Sequence, residues 1–178
     1  MTSSQPDTTQ ITAQSTQELF QRYDALTVDD KLALLYYIYE AMGSSITPAA
    51  PGAADIDLTQ PLIAELFDRS EEEQLEVMRS IVKGEDTPLS RSYGGFSANN
   101  QLLVWYAWAE AMGDSVVDMP KDYKAASGAN EILDILAVVK QLDFQAQISF
   151  LREAATQMGY SAVGAPPTQA ETGKTDSL

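Results

Sequence analysis

The sequence contains no histidine and no cysteine. Those two zeros exclude Ser-His-Asp and Cys-His sites, thiolate chemistry, and zinc or haem held by imidazole. Disulfides are excluded too, which fits a reducing compartment. No apolar run approaches the length that spans a bilayer. The N-terminus MTSSQPDTTQ has neither a basic nor an apolar segment, so no signal peptide is read there. Walker, Rossmann and EF-hand patterns are missing as well. Basic residues are scarce: 11 stand against 26 acidic ones, a net charge of −15 that repels phosphate backbones and argues against nucleic acid. Most of the acids fall on expected solvent faces, which leaves carboxylate catalysis without a site. The expectation is a soluble cytoplasmic protein that is not an enzyme, does not insert into membranes and binds no nucleic acid.

What is present is helical periodicity throughout, with 44% hydrophobic residues to build one core. Ser15 with Glu18, Thr27 with Asp30, and Ser70 with Glu73 have the spacing of reciprocal caps at helix starts. Gly43, Gly84, Gly113 and Gly159 each follow an amphipathic run and read as stops. The pattern predicts helices over 16–25, 28–42, 60–69, 71–83, 98–112, 129–141 and 144–158. Irregular connections are expected at 49–54 and at RSYGGFS (91–97). Residues 1–14 and 161–178 read as disordered flanks around a helical domain over 15–160.

Both tryptophans fall within LLVWYAWAEAMG (102–113). That segment resembles the earlier LALLYYIYEAMG (32–43), and QLEVMRSIV (74–82) resembles QISFLREAA (147–155), with Arg79 matching Arg152. Two amphipathic helices can match by chance, but a second matching pair in the same order favours duplication. On the first long helix Leu32, Leu35, Tyr36, Tyr39 and Met42 share a face; on its counterpart the same positions are Leu102, Trp105, Tyr106, Ala109 and Met112. Such stripes are most often plain core. Rings and methionines on three successive turns also suit the wall of an apolar ligand site, and the pattern alone leaves both readings open.

Several stretches narrow the choice: LALLYYIYEAMG followed by ITPAAPGAA, then DTPLSRSY, VWYAWAEAMG and ISFLREAATQMGY. In that order, over about residues 16–160, they resemble the N-terminal domain of the orange carotenoid protein family, and within it the stand-alone helical carotenoid proteins. The resemblance implies an all-α fold of two discontinuous four-helix bundles with a ketocarotenoid such as canthaxanthin or echinenone between them. The implied lining is Leu32, Leu35, Tyr36 and Tyr39 on the first long helix, and Met78 and Ile81 further on. Leu102, Trp105, Tyr106, Ala109 and Glu110 follow on its counterpart, then Met119, Pro120 and Tyr123 in the next loop. Ile148, Ser149, Arg152 and Met158 complete it. Tyr36 stands where the full-length relatives carry Trp, Ala109 where they carry Gly, and Ser149 where they carry Thr.

Arg152 has two readings: a surface arginine paired with a nearby acid, or the counterpart of the arginine that in photoswitching relatives ties two domains together and contacts the phycobilisome antenna. The implied function is photoprotection by singlet-oxygen quenching without light-driven switching, since no second domain is read here. The alternatives are a constitutive quencher docked on phycobilisomes at the thylakoid surface, and a ligand-free helical adaptor. A separate carotenoid-delivering homologue of the C-terminal domain is a further implied partner.

Overall fold

A computed structural model describes residues 8–42, 54–120, 123–126 and 129–161. They form eight helices and no strand: α1 (Thr8–Asp24), α2 (Val28–Met42), α3 (Ile56–Phe67), α4 (Glu71–Lys83), α5 (Pro88–Gly94), α6 (Ala98–Glu110), α7 (Ala129–Gln141) and α8 (Phe144–Thr156). The fold is all-α, as expected. Ser70 and Glu73 form the full capping box of α4, with Ser70 Oγ accepting from Glu73 N–H and the Glu73 carboxylate accepting from Ser70 N–H. Thr27 Oγ1 accepts from Asp30 N–H at the start of α2, and Gly84 ends α4 in the left-handed region at φ 69°.

Helices α1, α3, α6 and α8 end one or two residues before the expected positions, at Asp24, Phe67, Glu110 and Thr156, and three larger differences stand beside these. Helix α1 already runs from Thr8, so Ser15 is an internal helix residue and not a cap. Asp55 accepts from Leu58 N–H and starts α3 at Ile56, ahead of the expected residue 60. The segment 91–97 is not wholly irregular: Thr87 caps a short helix, α5, with Pro88 in its first turn where a missing N–H costs nothing. Gly43, the stretch 49–53, and the flanks 1–7 and 162–178 lie outside the described residues.

The packing carries the internal repeat further than the sequence match. Helix α1 packs on α7 and α8, and α5 on α3 and α4; α2 packs on α7 and α4, and α6 on α3 and α8. Exchanging α1–α4 for α5–α8 turns each of these contacts into another of them, and α2 meets α6, its own counterpart. Matching side chains do matching work. Gln74 Nε2 donates to Leu66 O at 3.0 Å, and in the second half Gln147 Nε2 donates to Val139 O at 3.0 Å. Buried Asp30 and Asn100, at equivalent places in the two halves, each accept a backbone N–H ahead of the next helix, from Ala126 and Asp55 respectively. Tyr23 in α1 and Tyr93 in α5 are both core residues at equivalent positions. The two halves interlock, because helices of one half pack on helices of the other.

The C-terminal segment closes the core against α4 and α5. Gly159 N–H donates to Ile81 O at 2.7 Å, and Tyr160 N–H to Ser90 O at 3.1 Å. Any Cβ at Gly94 would stand 2.1 Å from Tyr160 O, so the approach of this segment to α5 requires glycine there.

Candidate functional site

A cavity of about 650 Å³ lies among α2, α4, α6, α8 and the loop that follows α6. Its walls are the faces of α2 and α6 that carry the ring-rich stripes, from Asp29 to Tyr39 on one and from Asn99 to Ala109 on the other. At 1.5 Å per residue those stretches run about 15 Å along each helix. The volume falls within the ~300–1,000 Å³ of small-molecule sites.

Three of the rings around the cavity have their polar atoms engaged by other protein groups. Trp105 Nε1 donates to Tyr93 Oη at 2.8 Å, and Tyr93 Oη donates onward to Ala155 O at 2.7 Å. Trp108 Nε1 donates to Ile63 O at 3.3 Å. Tyr123 Oη donates to the buried carboxylate of Asp30 at 2.8 Å. What faces the cavity from these side chains is therefore apolar ring surface. Trp105 and Trp108 meet edge to face with centroids 5.4 Å apart, and Tyr39 and Tyr106 do the same at 5.6 Å. Trp105 also packs on Tyr93 at 6.1 Å, which holds the indole rigidly at the wall.

Partial burial and the hydrogen bond to Glu40 push the Tyr36 hydroxyl up to about 12, and burial raises Tyr39 as well. Both phenols are neutral at physiological pH. The loop after α6 is pinned to α4 by one buried side chain: Gln74 Nε2 donates to Ser115 O at 2.9 Å, and Gln74 Oε1 accepts from Val117 N–H at 2.7 Å. That pin holds Val117, Asp118, Met119 and Pro120 at the cavity wall.

Of the residues singled out in the sequence, Leu32, Leu35, Tyr36, Tyr39, Met78, Leu102, Trp105, Tyr106, Ala109, Met119, Pro120, Tyr123, Ile148 and Arg152 come together around this cavity. Four do not. Ile81 is 0% exposed within the packed core, and Met158 is buried there too, past the end of α8. Ser149 is exposed because Ile148, Leu151, Arg152 and Ala155 share the inward face of α8, which leaves position 149 turned away. Glu110 is exposed at the end of α6.

Other residues line the cavity without having been among the expected lining, among them Asp29, Arg79, Asn99, Trp108 and Leu151. The match of Arg79 to Arg152 was the signal that could have found the polar ones.

The polar rims are unequal. On α4, Arg79 donates through Nε and Nη2 to both oxygens of Asp29 at 2.8 and 3.1 Å, and through Nη1 to Glu76 at 2.9 Å. On α8, Arg152 Nε donates to the amide oxygen of Asn99 at 2.9 Å, and among the described residues no carboxylate pairs with it. The expected surface ion pair of Arg152 is replaced by a neutral contact.

An all-helical fold with an apolar cavity walled by aromatic rings defines a class of ligand carrier, and the comparisons with known proteins say which. The family model described as "Orange carotenoid protein, N-terminal" matches residues 9–161. An orange carotenoid-binding domain-containing protein of Nostoc sp. strain PCC 7120 is 44% identical over 138 residues, 77% of this chain and 79% of that one. The orange carotenoid-binding protein of Synechocystis sp. is 34% identical over 79% of this chain, which spans only 44% of that longer relative. Among solved structures, the red carotenoid protein of Anabaena (Nostoc) sp. PCC 7120 binding canthaxanthin superposes with a TM-score of 0.72 at 30% identity, covering 83% of this chain and 99% of that one. The chain belongs to the orange carotenoid protein N-terminal domain family, a family of carotenoid-binding proteins and not of enzymes.

Proposed function

We propose that the cavity holds a ketocarotenoid such as canthaxanthin or echinenone, and that the protein uses it to quench singlet oxygen without a light-driven switch. The observation that carries this reading is the cavity itself, with rings from α2 and α6 on its walls and the polar atoms of Trp105, Trp108 and Tyr123 bonded to other protein groups. The donor set fits the ligand class: apolar walls suit a polyene, and the N–H groups of Arg152 not engaged by Asn99 suit a ring carbonyl at a rim. When bound, a conjugated polyene accepts excitation from singlet oxygen and releases it as heat.

The residues of this chain need only bind, orient and shield the ligand. Trp105, Tyr106 and Tyr39 supply flat contact surface, Ala109 leaves room beside them, and Met78, Met112 and Met119 fill irregular gaps. Among the described residues no helix is long and apolar enough to cross a membrane, which accords with an aqueous location for the pigment complex.

The test is expression in a host that makes ketocarotenoids. The purified protein should be coloured, with strong blue-green absorption, and should quench singlet oxygen far better than its apoprotein. A folded, helical but colourless product would overturn the reading in favour of a ligand-free adaptor.

One observation favours a second reading, a quencher docked on the phycobilisome: the Arg152 guanidinium lacks an acidic partner among the described residues. In that case Arg152→Leu should abolish quenching of phycobilisome fluorescence and leave singlet-oxygen quenching per bound pigment intact.

A further inference from the structure

The internal repeat places two arginines at equivalent rims of the cavity and gives them different partners. Arg79 and Arg152 occupy matching positions of α4 and α8, and each reaches across to the first turn of the neighbouring long helix. The residue met there is Asp29 on α2 but Asn99 on α6, at matching positions of the repeat. The pairs Asp29–Arg79 and Asn99–Arg152 both line the cavity. One is a two-pronged ion pair between distant parts of the chain; the other is a single hydrogen bond to a neutral amide.

We propose that the Asp29–Arg79 pair is an electrostatic strap that ties α2 to α4 and holds that rim shut against loss of the bound ligand, so that its strength sets the rate of ligand release there. Side-chain exposures of 44% and 31% place the pair at the boundary between cavity and solvent, where a ligand leaving by this rim would have to part it. Two parallel N–H···O bonds fix the guanidinium plane as a single contact does not. Glu76 also binds Arg79, but from within α4, and therefore bridges nothing.

The inference rests on the carotenoid reading above, and the experiment separates the two. Holoprotein is mixed with excess neutral phosphatidylcholine vesicles, and pigment transfer is followed by absorbance. Asp29→Asn copies the neutral partner of the other rim, while Glu76→Gln removes the same charge from the same arginine without touching the link between helices. For an exposed pair of this kind release from D29N should be about two- to fivefold faster, with E76Q like the unaltered protein. High salt should shrink the difference between D29N and the unaltered protein.

In the apoprotein, amide hydrogen exchange in the first turn of α2 should rise in D29N only, a readout independent of pigment. Equal release from D29N and the unaltered protein, or equal acceleration by D29N and E76Q, overturns the strap. An unaltered protein that takes up no pigment overturns the carotenoid reading instead, and the strap is then judged by hydrogen exchange alone.

Discussion

Trp105 and Tyr93 are joined by a 2.8 Å hydrogen bond from the indole N–H to the phenol oxygen, and the Tyr93 hydroxyl in turn donates to Ala155 O at 2.7 Å. One phenol thereby links α5, α6 and α8 and fixes an indole of the cavity wall. The Tyr93 phenol is almost wholly buried, which pushes its ionisation well above the usual range and keeps it a donor. Tyr93→Phe removes the acceptor of the indole and the donor to Ala155. Leaving buried groups unpaired costs about 1–3 kcal/mol, so urea unfolding of the apoprotein should shift to lower denaturant by that amount. An unchanged midpoint would mean that water takes the place of the hydroxyl.

Tyr39 meets Tyr106 edge to face across the α2–α6 contact. Aromatic pairs of this kind contribute ~0.5–1.5 kcal/mol beyond area burial. Tyr39→Ala should therefore weaken pigment retention about two- to tenfold, measured as the pigment-to-protein ratio after gel filtration. Tyr39→Phe keeps the ring and should retain pigment normally. Circular dichroism of both variants should remain helical.

Expressed as these 178 residues, the holoprotein should give superimposable absorption spectra in darkness and under strong blue light, with equal singlet-oxygen quenching in both. The cavity is walled by α2, α4, α6, α8 and a loop pinned by Gln74, so the proposed binding site is assembled within this one helical unit. A reversible spectral change on illumination would contradict the proposed absence of switching.

Alkaline pH tests the tyrosines. Burial is the leading cause of the raised ionisation of Tyr23, Tyr36, Tyr39, Tyr93 and Tyr123, with Tyr36 reaching about 12. Phenols of the unfolded chain release protons near pH ~10 while the native ones still hold theirs. The unfolded state then binds fewer protons, and stability falls as pH rises. The phenols' contribution to unfolding free energy should be flat below about pH 10 and decline above it. In Tyr36→Phe the decline between about 10 and 12 should be shallower, because that group no longer contributes. Tyrosinate absorbance during the titration reports the same order.

Much of this molecule was legible in one dimension because its determinants are local. Ser70 and Glu73 lie one helical turn apart, so their capping box could be read off the chain, and the helices 28–42, 71–83 and 129–141 have the expected bounds. Helix α5 escaped because Gly94 and Gly95 read as loop, whereas Gly94 is glycine to let Tyr160 approach within what would be Cβ distance. That reason lies at the far end of the helical unit, out of reach of any local pattern.

The sequence by itself determined a helical domain without imidazole or thiol chemistry, its duplicated plan, and a stripe of rings on each of two helices. Composition and a 3.6-residue period suffice for these, since both act within a few turns. Tertiary structure alone decided which stripe residues reach the cavity and which stay in the core. Ile81 and Met158 were turned into packing, Ser149 and Glu110 into solvent, and Asp29 and Arg79 were brought together at a rim. The physical reason is that a helical period gives a side chain's direction around its own axis but not the position of the neighbouring helix. That position is set by long-range contacts such as α6 on α8 and α2 on α4, and only their summed packing creates a space for a ligand.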